Sequence, residues 1–120
     1  MINIRPATSE LLESFYGYRP KHSMKAVVGL NKDEVIGVGG AYIYNGYMVL
    51  FSDFKSEVRE HYKLSLMKGV YKLLKILKKT QLPLYALCDR NIEGADRLLR
   101  HIGFEPINGE IYKWQRSPRH

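Results

Sequence analysis

The residues of this chain that could do chemistry gather where its apolar runs end. Cys88 closes the run 84–88. A thiol there reads either as a nucleophile or as a buried, inert small side chain. Asp53 and Asp89 follow two such runs. A carboxylate in that place can accept a proton as a general base, or it can cap the turn that follows. His22, His61, His101 and His120 have no zinc-ligand spacing, so no metal site is expected. Gly37, Gly39 and Gly40 fall inside a strand pattern rather than ahead of a helix, which marks a bulge or a close backbone approach and not a phosphate cradle. Tyr16, Tyr18, Arg19, Lys21 and His22 make an aromatic and basic loop. Tyr42, Tyr44 and Tyr47 surround Asn45-Gly46, where aromatic pairs pack across a hairpin.

Charge is the second feature. Between positions 55 and 79 stand Lys55, Arg59, Lys63, Lys68, Lys72, Lys75, Lys78 and Lys79 against only Glu57 and Glu60, nearly the whole net charge of +7. Such a segment either attracts an anionic partner or forms the solvated face of an amphipathic helix. Lys68, Lys72, Lys75 and Lys79 recur at helical steps opposite Leu66, Val70, Leu73, Leu74 and Leu77. An acidic protein is the partner this row would suit. Nucleic acid is disfavoured, because no nucleic-acid-binding motif is present.

The elements that must position these residues follow from periodicity. With 120 residues, 45% of them hydrophobic and 26% charged, the chain suits one folded domain and not a disordered one. No apolar run reaches the roughly 18 residues of a membrane span. The opening MINIRPAT carries no apolar leader, so a cytoplasmic location is expected. A single cysteine excludes an internal disulfide framework. Residues 2–5 alternate as a strand that Pro6 ends. Thr8 or Ser9 caps a short helix broken by Gly17 and Pro20. Residues 24–30, 35–44 and 47–53 form a three-stranded antiparallel meander, a long helix spans about 56–79, and 84–88 is a buried strand. Asp89 or Asn91 caps a second helix through Ile102, Gly103 ends it, and 110–114 is the last strand. The order β-α-β-β-β-α-β-α-β is an α/β (α+β) arrangement with a mixed sheet, a domain over 1–114 and a polar tail over 115–120.

The order of elements, the opening Ile4-Arg5-Pro6-Ala7-Thr8, the segment Arg97-Leu98-Leu99-Arg100-His101-Ile102-Gly103-Phe104 and Asn91 just before it together resemble the GNAT superfamily of acyl-CoA N-acyltransferases. The compact form is also similar to small GNAT-like proteins of short-tailed phages, including an internal virion protein, which would place it in host cytoplasm or virion. The resemblance implies acetyl-CoA as co-substrate, bound where the fourth and fifth strands splay apart, with its pyrophosphate at the following helix N-terminus. It implies direct attack of an amine on the thioester, a general base, and an acid, often a tyrosine, for the departing thiolate. On this chain the cofactor contacts would come from Phe51, Ser52, Phe54, Lys55, Arg59, Lys63 and Asn91, and the catalytic candidates are Asp53, Cys88 and Asp89.

Two departures stand out. The family's phosphate loop has small residues three and five positions after its arginine or glutamine. Aligned on Arg59, this chain has Tyr62 and Leu64 there, so side chains rather than amides would hold the phosphates. Five residues before Phe104, where many members carry tyrosine, stands Leu99. Two functions are therefore expected in competition. One is a small N-acetyltransferase acting on an amine, on a protein or otherwise. The other is a catalytically degenerate GNAT-fold binding protein, phage host-directed or virion-borne.

Overall fold

The computed structural model describes residues 2–55, 63–88, 91 and 93–115, over 63–68 as backbone alone. Its elements are β1 (Ile2–Pro6), α1 (Ser9–Tyr16), β2 (Met24–Asn31), β3 (Glu34–Tyr44), β4 (Tyr47–Phe54), α2 (Lys63–Leu77), β5 (Leu84–Leu87), α3 (Ala95–His101), β6 (Phe104–Asn108) and β7 (Ile111–Trp114). One seven-stranded sheet runs in the order β1-β2-β3-β4-β5-β7-β6.

Local chemistry sets most of these boundaries. The Thr8 hydroxyl accepts from the Leu11 amide at 3.2 Å and starts α1. Gly17, with φ +82°, ends it. Asn45-Gly46 turns β3 into β4 with Gly46 at φ +96°. The crossover through α2 returns the chain parallel to β4, pairing Met48 with Leu84 and Val49 with Tyr85. At the free edge of β1, alternation sends the carbonyl of Ile4 outward, where Lys72 Nζ donates to it at 2.9 Å. Pro6 shares that parity, so its missing N–H faces no strand.

Two expected features are corrected. The chain ends in a hairpin, β6 and β7, rather than in one strand over 110–114. Pro106 masks β6 in the sequence, and it is tolerated because β6 is an outer strand of the sheet, opposite β1. The helix α3 begins at Ala95, not after an Asn91 cap. Gly94 at φ +87° takes the capping position without a side-chain bond, and Asn91 lies in the turn ahead of it. Asp89 lies outside the described residues, as does the predicted helix start over 56–62.

The sheet has a core on each face. Leu73, Leu77, Leu84, Met48, Phe104 and Tyr112 are all essentially inaccessible on the side covered by α2 and α3. Val28, Leu30, Val35 and Val38 pack under Leu11, Leu12 and Phe15 of α1. Truncating a fully buried leucine such as Leu73 to alanine costs about 2–5 kcal/mol.

Candidate active site

The site begins with a ladder that stops. The β4–β5 pairing has only the two registered pairs at Met48 and Val49, yet β4 continues to Phe54 and β5 to Leu87. The Met48 amide donates to the Pro83 carbonyl at 2.9 Å, toward β5, and the Lys55 amide donates to the Ile36 carbonyl at 3.1 Å, toward β3. Alternation therefore aims the backbone groups of Leu50 and Ser52 at the β5 side. The Cys88 amide donates to the Glu110 carbonyl at 2.8 Å, toward β7, so those of Leu87 face β4. Among the described residues no strand pairs with β4 on that side beyond Val49. The gap is thus edged by backbone donors and acceptors, the geometry that takes up an extended amide-bearing ligand.

Asp53 stands on this free stretch of β4, exposed, on the α1 face. The Tyr16 hydroxyl donates to its Oδ2 at 2.6 Å. Burial, and then this bond to a carboxylate, push the Tyr16 pKa well above the usual phenol range, so Tyr16 stays protonated. Burial and then the charge of Asp53 move Tyr42 in the same direction. Phe51 stacks on Tyr42 at 4.2 Å between ring centroids, and His22 meets both Tyr42 and Tyr44 edge-on at 4.9 and 4.8 Å. The stack depends on Gly40, whose Cβ, if present, would sit 2.7 Å from the Phe51 ring.

On the opposite face, Cys88 is buried at the end of β5. Tyr112, projecting from β7, lays its hydroxyl against the Cys88 thiol and donates to Asp96 on the first turn of α3. The Asp96 bond, burial and the thiol contact push its pKa up to about 12. Arg100 pairs with Asp96 at 3.0 Å and with Glu105 at 3.7 Å. Leu99 sits in the core beside these residues, with only 9% of its surface exposed.

No protein-family profile matches the sequence, and no curated protein does. Solved structures do. A GNAT-family acetyltransferase from Staphylococcus aureus superposes with a TM-score of 0.69 at 12% identity, covering 98% of this chain and 100% of its own. PaiA N-acetyltransferase from Thermoplasma acidophilum, solved with coenzyme A, gives 0.65 at 15% identity over 94% and 96% of the two chains. Escherichia coli ElaA gives 0.65 at 12% identity over 94% and 97%. The fold is that of the GNAT acetyltransferases. At these identities the likeness is one of fold, and the chain's own residues must carry the chemistry.

Within that GNAT fold the anticipated positions fall as follows. Phe51, Ser52 and Phe54 lie on the free stretch of β4. Phe51 is committed to the Tyr42 stack, and Phe54 crosses Gly37, whose Cβ would meet that ring at 2.5 Å. Gly37 and Gly40 are thus the expected close approaches. Lys55 is ion-paired with Glu34. Lys63 opens α2. Arg59, His61, Tyr62, Asp89 and His120 lie outside the described residues. Lys72, Lys75 and Lys79 are exposed on and just after α2, while Leu73, Leu74 and Leu77 are buried, as the periodicity requires. Lys68 is in the same sequence row. Sequence reasoning missed Tyr16 as the partner of Asp53, and missed Tyr112. The alternation of 110–114 was the available signal for Tyr112, since it turns that side chain inward.

Proposed function

We propose that the chain transfers the acetyl group of acetyl-CoA to an amine. The observation that carries this reading is the interrupted β4–β5 ladder, with the carbonyl of Leu50 and the backbone of Ser52 and Leu87 directed into it. When bound, acetyl-CoA would supply the activated thioester. The backbone edges of β4 and β5 would hold its amide-bearing arm. Arg59 and Lys63 would hold its phosphates by side chain, because Tyr62 and Leu64 replace the small residues that let amides approach, and Asn91 would line the same end. Lys55 could join them only by leaving Glu34. Asp53, held by Tyr16, is the carboxylate placed to accept the proton of the amine, directly or through water. Leu99 has no proton to give, and Tyr112 holds a hydroxyl against Cys88 at the end of β5 on that face. Cys88 serves as its packing neighbour. General acid help is worth about 10² to 10⁴ in rate, so turnover is expected to be slow.

The burial of Leu99 favours a second reading, a silent GNAT-fold protein that acts by contact, with the lysines of α2 facing an acidic protein. Calorimetric titration with acetyl-CoA, followed by its consumption against a panel of amines and lysine peptides, tests the two. Binding with turnover supports the transferase. No binding and no turnover, with a partner captured through Lys72, Lys75 and Lys79 and lost on their reversal to glutamate, replaces it with the contact reading.

A further inference from the structure

From His61 to Cys88 the chain has six lysines and no acid. The described part of this excess lies on one surface. On α2 and its last turn, Tyr71, Lys75 and Lys78 follow at steps of four and three, and Lys72, Lys75 and Lys79 at steps of three and four, so they share the outer face. Leu73, Leu74 and Leu77 are buried beneath it. His101 of α3 meets Tyr71 with ring centroids 6.5 Å apart, which joins the outer faces of the two helices. Arg97, one turn before His101, lies on the same side of α3 and is exposed. Lys72 donates to the Ile4 carbonyl. Lys75, Lys78, Lys79 and Arg97 form no ion pair among the described residues, while Arg100 takes both Asp96 and Glu105. Like charges three and four positions apart repel, so the row weakens the helix that carries it.

We infer that this α2–α3 face binds single-stranded nucleic acid through its phosphates, with Tyr71 as a stacking surface for a base. An acidic protein suits the face less. Protein interfaces centre on buried aromatic and arginine anchors and are depleted in lysine, whereas here most of the cations are lysines and the leucines of α2 point inward. A lysine is a mobile point charge that suits a phosphate, and Lys72 to Lys79 spans about 10 Å of helix along which a strand can run. Tyr71 keeps 49% of its surface exposed. Its contact with His101 is edge-on, at 71° between the planes, so a base can lie on the ring. A duplex keeps its bases stacked and offers Tyr71 none. Binding of this kind reads charge and ring faces rather than sequence, so it needs no recognised motif. It goes beyond the transferase and contact readings and requires neither acetyl-CoA nor turnover.

The test follows the fluorescence anisotropy of labelled oligo(dT), and of a duplex of the same length, on titration with the full chain over a range of salt. The single strand should bind several-fold more tightly than the duplex, with log K falling by about 0.7 per unit of log salt for each phosphate held. Lys75→Gln, Lys78→Gln and Lys79→Gln combined, all at exposed positions, should make that slope shallower by about 2. Tyr71→Leu should weaken the single strand about tenfold and leave the slope unchanged. Lys21→Gln with Lys32→Gln, exposed and away from both helices, should alter neither. Thermal melts should show the triple variant as stable as the parent, since it loses only like charges. No salt-dependent binding of oligo(dT), an unchanged slope in the triple variant, a duplex bound as tightly as the single strand, or undiminished binding by Tyr71→Leu would overturn the inference. Tighter binding of polyglutamate would replace the occupant with an acidic protein, and displacement of oligo(dT) by acetyl-CoA would move the strand to the β4–β5 gap; either result also overturns it.

Discussion

Gly40 offers a direct test of how the sheet builds the aromatic face of the site. A Cβ added there would lie 2.7 Å from the Lys25 carbonyl oxygen, 2.7 Å from the Phe51 ring and 2.8 Å from the Ala26 Cβ. The first of these is backbone in the regular stretch of the β2–β3 ladder, away from the irregularity at Gly29 and Leu30, and has little room to yield. The ring must therefore move, and with it the stack on Tyr42. Overpacking of this kind costs about 1–3 kcal/mol, and a disrupted aromatic pair adds about 0.5–1.5 kcal/mol. Against these, alanine loses less backbone entropy on folding than glycine by about 0.5–1 kcal/mol. Gly40→Ala should thus destabilise by about 1–3 kcal/mol, a fall of about 1 M in the urea midpoint. Gly39→Ala is the control, since nothing lies within 4 Å of its added Cβ, and it should stay within about 0.5 kcal/mol of the parent. A Gly40→Ala variant as stable as the parent, with Phe51 still stacked on Tyr42 by NMR, would refute the reasoning.

Other expectations concern the cofactor and the two tyrosine networks. Arg59→Ala should weaken acetyl-CoA binding about tenfold or more, because a charge-assisted contact is worth about 1.5–3 kcal/mol; unchanged affinity in calorimetry would reject side-chain capture of the phosphates. Glu34→Gln releases Lys55 from a solvent-facing pair worth about 0.2–1 kcal/mol, so acetyl-CoA should bind up to about fivefold more tightly, an effect that rising salt removes. Tyr112 holds its proton more firmly folded than unfolded, so its stabilisation is complete below pH 10 and is lost as pH rises through about 12. Urea titrations between pH 9 and 12 should show a smaller loss of stability in Tyr112→Phe than in the parent. Leu99→Tyr should raise acetyl transfer to a generic amine only if acetyl-CoA already binds productively, and a background rate in a variant that binds it would deny Leu99 the role of handicap.

Much of the scaffold was legible because local chemistry and tertiary structure agree. Thr8 and Gly17 bracket α1, Asn45-Gly46 makes the hairpin, and the apolar row of α2 is the buried one. The parallel return of 84–88 beside β4 followed from the crossover helix. What stayed hidden depended on context. Pro106 argues against a strand unless that strand is known to be an edge, and Gly94 moves a helix start that Asn91 seemed to own. Asp53 could be read as a strand-end carboxylate. Its partner Tyr16 lies 37 positions away across the sheet face, and no periodicity links the two. Leu99 was legible as a departure from the GNAT pattern, whereas Tyr112, reaching toward Cys88 from another element, needed the β6–β7 hairpin to be seen.

The central claim is that the backbone in the β4–β5 gap receives the amide-bearing arm of acetyl-CoA. Amide hydrogen exchange of the chain, with and without saturating acetyl-CoA, measures this at the groups concerned. The account predicts slowed exchange at the amides of Ser52 and Leu87, which lie past the last β4–β5 rung, with Val27 and Val28 of β2 unchanged. Saturating acetyl-CoA that leaves those two amides exchanging as before, or protection confined to other elements, would contradict it.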